Sequence, residues 1–186
     1  MISSYKTAII GCGWIGAGAQ LDLLRPHPAS HAQAVDSQPK MTLVGFVDND
    51  NSALNTAKKL YPDVDIYTST QSLFSVLNPE IVIIATHPDT HCHYILESVQ
   101  NGVKAILCEK PISHDLNEAE KVIALCKEKG VLLLVNHMRR YDELIKEIKS
   151  YIGNEYVRDT SIGKIISATA DYDNGIYHGG THIIDL

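Results

Sequence analysis

Residues Thr7-Ala8-Ile9-Ile10-Gly11-Cys12-Gly13-Trp14-Ile15-Gly16 carry the first chemistry visible in the chain. A short apolar run, Ala8 to Ile10, leads into Gly-x-Gly-x-x-Gly, and a helix-compatible stretch from Ala17 to Leu24 follows. A strand, a glycine turn and a helix in that order make the setting a dinucleotide-binding fingerprint requires. Gly11 allows the tight turn, Gly13 admits a diphosphate to the backbone, and Gly16 lets helix and strand pack closely. The helix start then offers N–H groups and partial positive charge to the phosphates. Trp14 and Ile15 complete the loop. A glycine-rich turn without a ligand is the competing reading of this motif taken alone.

A second chemical signal is Asp48, which ends the apolar run Met41–Val47. An acid at the end of the second strand is the expected partner of the adenosine ribose hydroxyls. It stands 32 residues after Gly16, where roughly 20 is usual. The proline-bearing stretch from Arg25 to Pro39 reads as a loop or broken helix and explains the excess. Asn49-Asp50 follow, with no Lys or Arg to neutralise a 2′-phosphate, which favours NAD over NADP. An acid here also suits a turn or a helix cap.

Four cysteines lie far apart with no C-x-x-C pair, which argues against a disulfide framework or zinc ribbon. They read as small buried hydrophobes in a reducing compartment. His91-x-His93 and His178-x-x-x-His182 have the spacing of metal pairs, but no acid or cysteine completes them, so no metal is expected.

The elements that must position these residues follow from hydrophobic patterning. Ile81–Ala85 is a run apolar on both faces, as parallel strands covered by helices are, Val103–Cys108 forms the next strand, and Val131–Val135 is another buried strand. Val64–Tyr67 is a shorter strand. Helical patterns occupy 52–60, 69–77, 90–101, 116–129 and 140–152. Strand and helix alternate through six strands, which predicts an α/β doubly wound parallel sheet. Ligands of such sheets sit beyond the carboxyl ends of the strands. Asp48, Thr86-His87-Pro88, His91, Glu109-Lys110-Pro111 and Asn136-His137 all fall there. Beyond Arg139 the pattern changes. Residues 163–172 alternate like a strand with one covered face, and 179–186 begin a helix. One strand cannot form a sheet alone, so a truncated second domain is expected.

The chain has 186 residues, 45% hydrophobic, with a net charge of −6. That is enough apolar material for a packed core. No basic cluster larger than Arg139-Arg140 occurs, which argues against nucleic-acid binding. No apolar run approaches the roughly 20 residues of a membrane span. The N-terminus lacks a signal-peptide pattern, so a cytoplasmic location is expected.

In order, Gly11-x-Gly-x-x-Gly16, Asp48, Ala85-Thr-His-Pro88, His91, Glu109-Lys-Pro111, Asn136-His-Met-Arg-Arg-Tyr141 and Gly179-Gly-Thr-His-Ile-Ile-Asp185 resemble the glucose–fructose oxidoreductase/inositol dehydrogenase (Gfo/Idh/MocA) family. The resemblance covers nearly the whole chain, and Glu-Lys-Pro is its most specific mark. It implies a Rossmann-type dinucleotide-binding domain over residues 1–137. Residues 138–186 would begin an α+β substrate and oligomerisation domain built on an antiparallel sheet. It implies an NAD-dependent dehydrogenase acting on a sugar, nucleotide-sugar or polyol, and a homo-oligomer for the full-length protein. By the same resemblance Lys110 contacts the substrate hydroxyl and His182 is the general acid/base. Gly11, Gly13, Trp14, Ile15, Gly16, Asp48, Thr86, His87, Pro88, His91, Glu109, Lys110 and Asn136 line the cofactor cleft, His91 and Asn136 in a contact or a structural role. His178 and Asp185 fall at substrate positions. His178 stands where the family often has an aspartate, and an imidazole supplies no fixed negative charge. A non-catalytic nicotinamide-binding sensor, or an inactive truncated member, is the alternative reading.

Overall fold

A computed structural model describes residues 4–152, together with Ser167 and Thr169. Its chain contacts divide at the end of the last strand into two units, Met1–Val135 and Asn136–Leu186.

The first unit holds six strands: β1 (Tyr5–Ile10), β2 (Met41–Val47), β3 (Asp65–Tyr67), β4 (Ile81–Ile84), β5 (Ala105–Cys108) and β6 (Leu132–Val135). Every pairing is parallel, and the order is β3-β2-β1-β4-β5-β6. This is the expected doubly wound sheet, with its switch point between β1 and β4. The helices are α1 (His31–Asp36), α2 (Asn51–Leu60), α3 (Thr70–Leu77), α4 (Pro88–Gln100) and α5 (Leu116–Lys129).

Side chains alternate across the sheet with a period of two, and each face carries its own core. Ile9, Phe46 and Ile83 pack with Ala32 and Val35 of α1 and with Leu54 and Ala57 of α2. Ile10, Val47, Val82 and Ile84 face the other way, toward Leu73 and Phe74 of α3, Cys92, Ile95 and Val99 of α4, and Val122 of α5. Fully burying a side chain such as Phe46 stabilises the fold by roughly 1.5–3 kcal/mol. All four cysteines are buried and unbridged. Burial pushes every one of these thiols above its ordinary range, so none is poised as a nucleophile.

The register ends level at the carboxyl edge. Ile10 pairs with Val47 and Ile84, Val47 with Tyr67, and Ile84 with Cys108. Gly11, Asp48, Thr68, Ala85 and Glu109 therefore begin their loops side by side.

One expectation is corrected. No α-helix spans Ala17–Leu24; a 3₁₀ turn occupies Gly18–Leu21, and the α-helix begins at His31, capped by the Ser30 side chain. His31 N–H donates to Ile15 O at 2.9 Å, and Ala32 N–H to Gly16 O at 3.0 Å. Each bond spans sixteen residues where an unbroken helix spans four, so twelve residues are looped out between the glycine turn and α1. Subtracting those twelve from the 32 that separate Gly16 from Asp48 leaves the usual interval of about 20.

In the second unit a 3₁₀ turn, Met138–Tyr141, precedes α6 (Glu143–Ile152). The strand expected over 163–172 and the helix begun at 179 lie outside the described residues.

Candidate functional site

The glycine loop is built by contacts that leave no room for side chains at two of its three glycines. Gly11 has φ +96°, and a Cβ there would lie 2.7 Å from the carbonyl carbon of Ala85. A Cβ at Gly16 would collide with the carbonyl oxygen of Gly11. Gly13 differs: it is exposed, and a Cβ there would meet nothing in the chain within 4 Å. The chain itself therefore sets no steric bar to a side chain at Gly13.

Asp48 holds the loop from below. Its Oδ2 accepts from Cys12 N–H at 2.6 Å and its Oδ1 from Asp50 N–H at 2.9 Å. It is thus a capping acid by geometry, and each oxygen keeps a lone pair for a further donor. Among the described residues no acceptor engages the N–H groups of residues 13–16. Those four amides, beside half-buried Ile15 and exposed Trp14, are a row of unengaged donors on the glycine loop.

Beside Gly11, at the start of this loop, lies an open cleft of about 220 Å³. Gly11, Asp48 and Thr86 of the expected set line it, with Ile10 and Val47. So do Asn49, Thr68, Ser69, Thr70, His93 and Tyr94, which sequence reading missed. Thr68–Thr70 leave β3 at the same edge as Asp48, so the strand-end rule alone would have found them. His93 and Tyr94 sit on α4 two and three residues past buried His91; His93 is exposed, whereas Tyr94 shares the face of His91 and packs partly buried against the core. Burial, and then the Glu97 and Asp48 carboxylates, raise the Tyr94 phenol above its ordinary range, so it stays neutral.

Thr86 is held by the Thr90 hydroxyl, which donates to its Oγ1 at 2.8 Å. His87 and Pro88 start α4, Pro88 at its first helical position. His91 is fully buried, with Nδ1 2.8 Å from Pro111 O and Nε2 3.1 Å from Thr86 O. Both neighbours are carbonyl oxygens, which accept. The ring thus ties the Thr86 loop to the loop after β5 instead of reaching into the cleft.

At the end of β5, Glu109 meets a residue that sequence reading overlooked. His31 Nε2 lies 2.8 Å from Glu109 Oε1, with the two side chains only 8% and 14% exposed. The other oxygen, Oε2, accepts from the backbone N–H of Lys110 at 3.3 Å. His31 also donates its own N–H to the glycine loop. His31 thereby links the glycine loop, through its backbone N–H, to the start of Lys110-Pro111, through its imidazole. Lys110 itself is half-buried, and its peptide bond to Pro111 is cis. The looped-out segment before His31 hid this pairing, because nothing in the spacing places residue 31 beside β5.

Asn136 directly follows β6 and belongs to the second unit. His178, His182 and Asp185 lie outside the described residues. Among the described residues no group of three or more His, Cys, Asp or Glu side chains converges as a metal site would, and no helix is long and apolar enough to cross a membrane.

Residues 5–137 match the profile of the oxidoreductase family with an NAD-binding Rossmann fold. An uncharacterized oxidoreductase of Schizosaccharomyces pombe is 32% identical over 149 residues, 80% of this chain and 38% of that protein. The scyllo-inositol 2-dehydrogenase (NADP(+)) of Bacillus subtilis is 25% identical, matching 99% of this chain and 51% of its own length. An Agrobacterium radiobacter oxidoreductase, solved with NAD+, L-tartaric acid and magnesium, superposes with a TM-score of 0.69. It is 22% identical and aligns with 82% of this chain and 42% of its own. The chain thus spans about half the length, or less, of these relatives. A dinucleotide fingerprint on the switch-point edge, an acid under its loop and a family match across the whole sheet agree: this chain belongs to the Gfo/Idh/MocA oxidoreductase family.

Proposed function

We propose that this chain is the cofactor-binding part of an NAD-dependent dehydrogenase or reductase acting on a CH–OH or C=O carbon of a sugar, nucleotide-sugar or cyclic polyol. The observation that carries the reading is the row of four unengaged amides at residues 13–16, beside the cleft that Asp48 borders. The cleft residues suit the adenosine end of a dinucleotide. Asp48 offers acceptor lone pairs to ribose hydroxyls. No Lys or Arg lines the cleft to meet a 2′-phosphate, which supports NAD over NADP. When bound, the nicotinamide supplies the hydride acceptor or donor.

The substrate side rests on the family. Lys110 leaves β5 at the ligand edge. Its ammonium would hold a substrate hydroxyl and stabilise negative charge developing on that oxygen. His182 would take the hydroxyl proton, as an imidazole titrating near neutrality can. His178 and Asp185 would contact the substrate. The inositol-oxidising relative supports a polyol or sugar as substrate class.

The test pairs binding with turnover. Lys110→Ala is expected to keep NADH affinity within about twofold and to lower nicotinamide reduction across a panel of aldoses and inositols by about 10²-fold or more. Unchanged turnover removes Lys110 from the mechanism. No NADH binding by the unaltered chain removes the cofactor reading itself.

A further inference from the structure

The looped-out segment between the glycine turn and α1 is tightly built. Gln20 Oε1 accepts from the Ser30 hydroxyl at 3.0 Å and from the Tyr61 hydroxyl at 2.9 Å, which ties its two ends to the end of α2. Gln33 Oε1 accepts from Ala29 N–H at 2.8 Å and faces His27 Nδ1 at the same distance. Asp22 closes the tip. Its Oδ1 accepts from Leu24 N–H and its carbonyl from Arg25 N–H, both at 3.1 Å.

The consequence is where Arg25 goes. Its guanidinium carbon lies 5.6 Å from the centroid of the Trp14 ring, a cation–π distance. Asp22 Oδ2 engages its Nε at 3.5 Å, and the side chain is 50% exposed. Asp22 engages Nε alone, which leaves both terminal Nη groups, the fork that matches a phosphate, on a guanidinium beside Trp14 of the glycine loop. Trp14 contributes one of the four unengaged N–H groups, and its ring is the shelf on which the guanidinium rests. In a chain of net charge −6, with the Asp48 carboxylate directly under the loop, a mobile surface arginine would be a poor phosphate ligand. One fixed by Asp22 and Trp14 has already lost most of the freedom that binding would remove.

We propose that Arg25 is a cofactor-binding residue, a cation brought by the looped-out segment to the diphosphate of the dinucleotide on the glycine loop. This rests on the cofactor reading above and assigns the segment a task in it. The guanidinium supplies the positive charge that bare amides lack, and Trp14 aims it.

The experiment titrates the full 186-residue chain and its Arg25→Ala and Arg25→Lys variants with NADH, ADP-ribose and adenosine, and records a thermal melt of each. In Arg25→Ala, NADH and ADP-ribose are expected to bind about tenfold more weakly, with adenosine affinity and melting temperature unchanged. Arg25→Lys should recover part of the loss, since an ammonium keeps the charge but not the fork. Raising salt should weaken NADH binding more steeply in the unaltered chain than in Arg25→Ala. Unchanged NADH affinity in Arg25→Ala overturns the proposal, and so does an equal loss for adenosine. A wild-type chain that binds adenosine but neither diphosphate overturns the glycine-loop reading, and this proposal with it.

Discussion

His31 shows how one residue can join two motifs far apart in sequence. Its imidazole pairs with Glu109, 78 positions away, and its own N–H closes the helical register on Ile15. Replacing it by leucine keeps comparable bulk but leaves a nearly buried carboxylate without this donor. Loss of one partner from such a pair costs roughly 1–3 kcal/mol. His31→Leu is expected to lower the urea midpoint by that free energy with an unchanged slope, read from equilibrium unfolding. A midpoint equal to wild type would make the pair structurally idle. Asp48 shows the same economy. A carboxylate that caps Cys12 and Asp50 still presents lone pairs toward the cleft, so the capping and ribose-binding readings of this acid do not compete.

At the scale of elements, the looped-out segment decides how the first helix forms. Ala17–Leu24 has helix-compatible residues, yet only a 3₁₀ turn forms there. The amides of His31 and Ala32 take the carbonyls of Ile15 and Gly16 that residues 19 and 20 would claim in an unbroken helix. Excising Ala19–Ser30 restores the interval of four and should let Gly18 run directly into His31. The expected result is a chain that still melts cooperatively and keeps its far-ultraviolet circular dichroism. Its affinity for NADH should fall like that of Arg25→Ala, because the arginine leaves with the segment. Loss of the fold on excision would show that the segment is not a graft on a continuous helix. The tip also exposes Leu23 at 88% and Leu24 at 95%, so excision should improve solubility.

Over the whole first unit, the two edges of the sheet have different work. The carboxyl edge gathers the glycine loop, Asp48, the cleft and Glu109. The amino edge is pinned by Glu80. Its Oε1 accepts from Lys104 Nζ at 2.7 Å, its Oε2 from Lys6 N–H at 3.2 Å, and its own N–H donates to Lys6 O. The Lys104 hydrogen bond, and then that from Lys6 N–H, hold the Glu80 carboxyl below its ordinary 4.5, while Glu80 raises the Lys104 ammonium above 10.5. A depressed carboxylate adds stability that is present above its unfolded value and lost as pH falls through its folded one. A raised ammonium adds stability that is present below its unfolded value and lost as pH climbs through its folded one. The pair therefore works between those two ranges. Glu80→Gln should melt below wild type at neutral pH, with the gap closing as acid protonates Glu80. A gap that persists unchanged at pH below the carboxylate range would refute the ionic origin. High salt should narrow the neutral gap, since both groups face water.

Local physics settled much of this protein before any fold was drawn. The apolar run Met41–Val47, the apolar runs at Ile81–Ala85 and Val131–Val135 and the glycine spacing each constrain only a few neighbouring residues. Together they are enough to predict six parallel strands with their loops at one edge. What they could not reach was anything carried across sequence distance. His31 against Glu109, His91 between Thr86 and Pro111, and Arg25 over Trp14 are partnerships of residues separated by a strand, a helix or a looped-out tip, and no periodicity encodes them. A residue's neighbours in sequence dictate its backbone; which side chain it meets is decided only when the sheet closes and level strand ends bring their loops together.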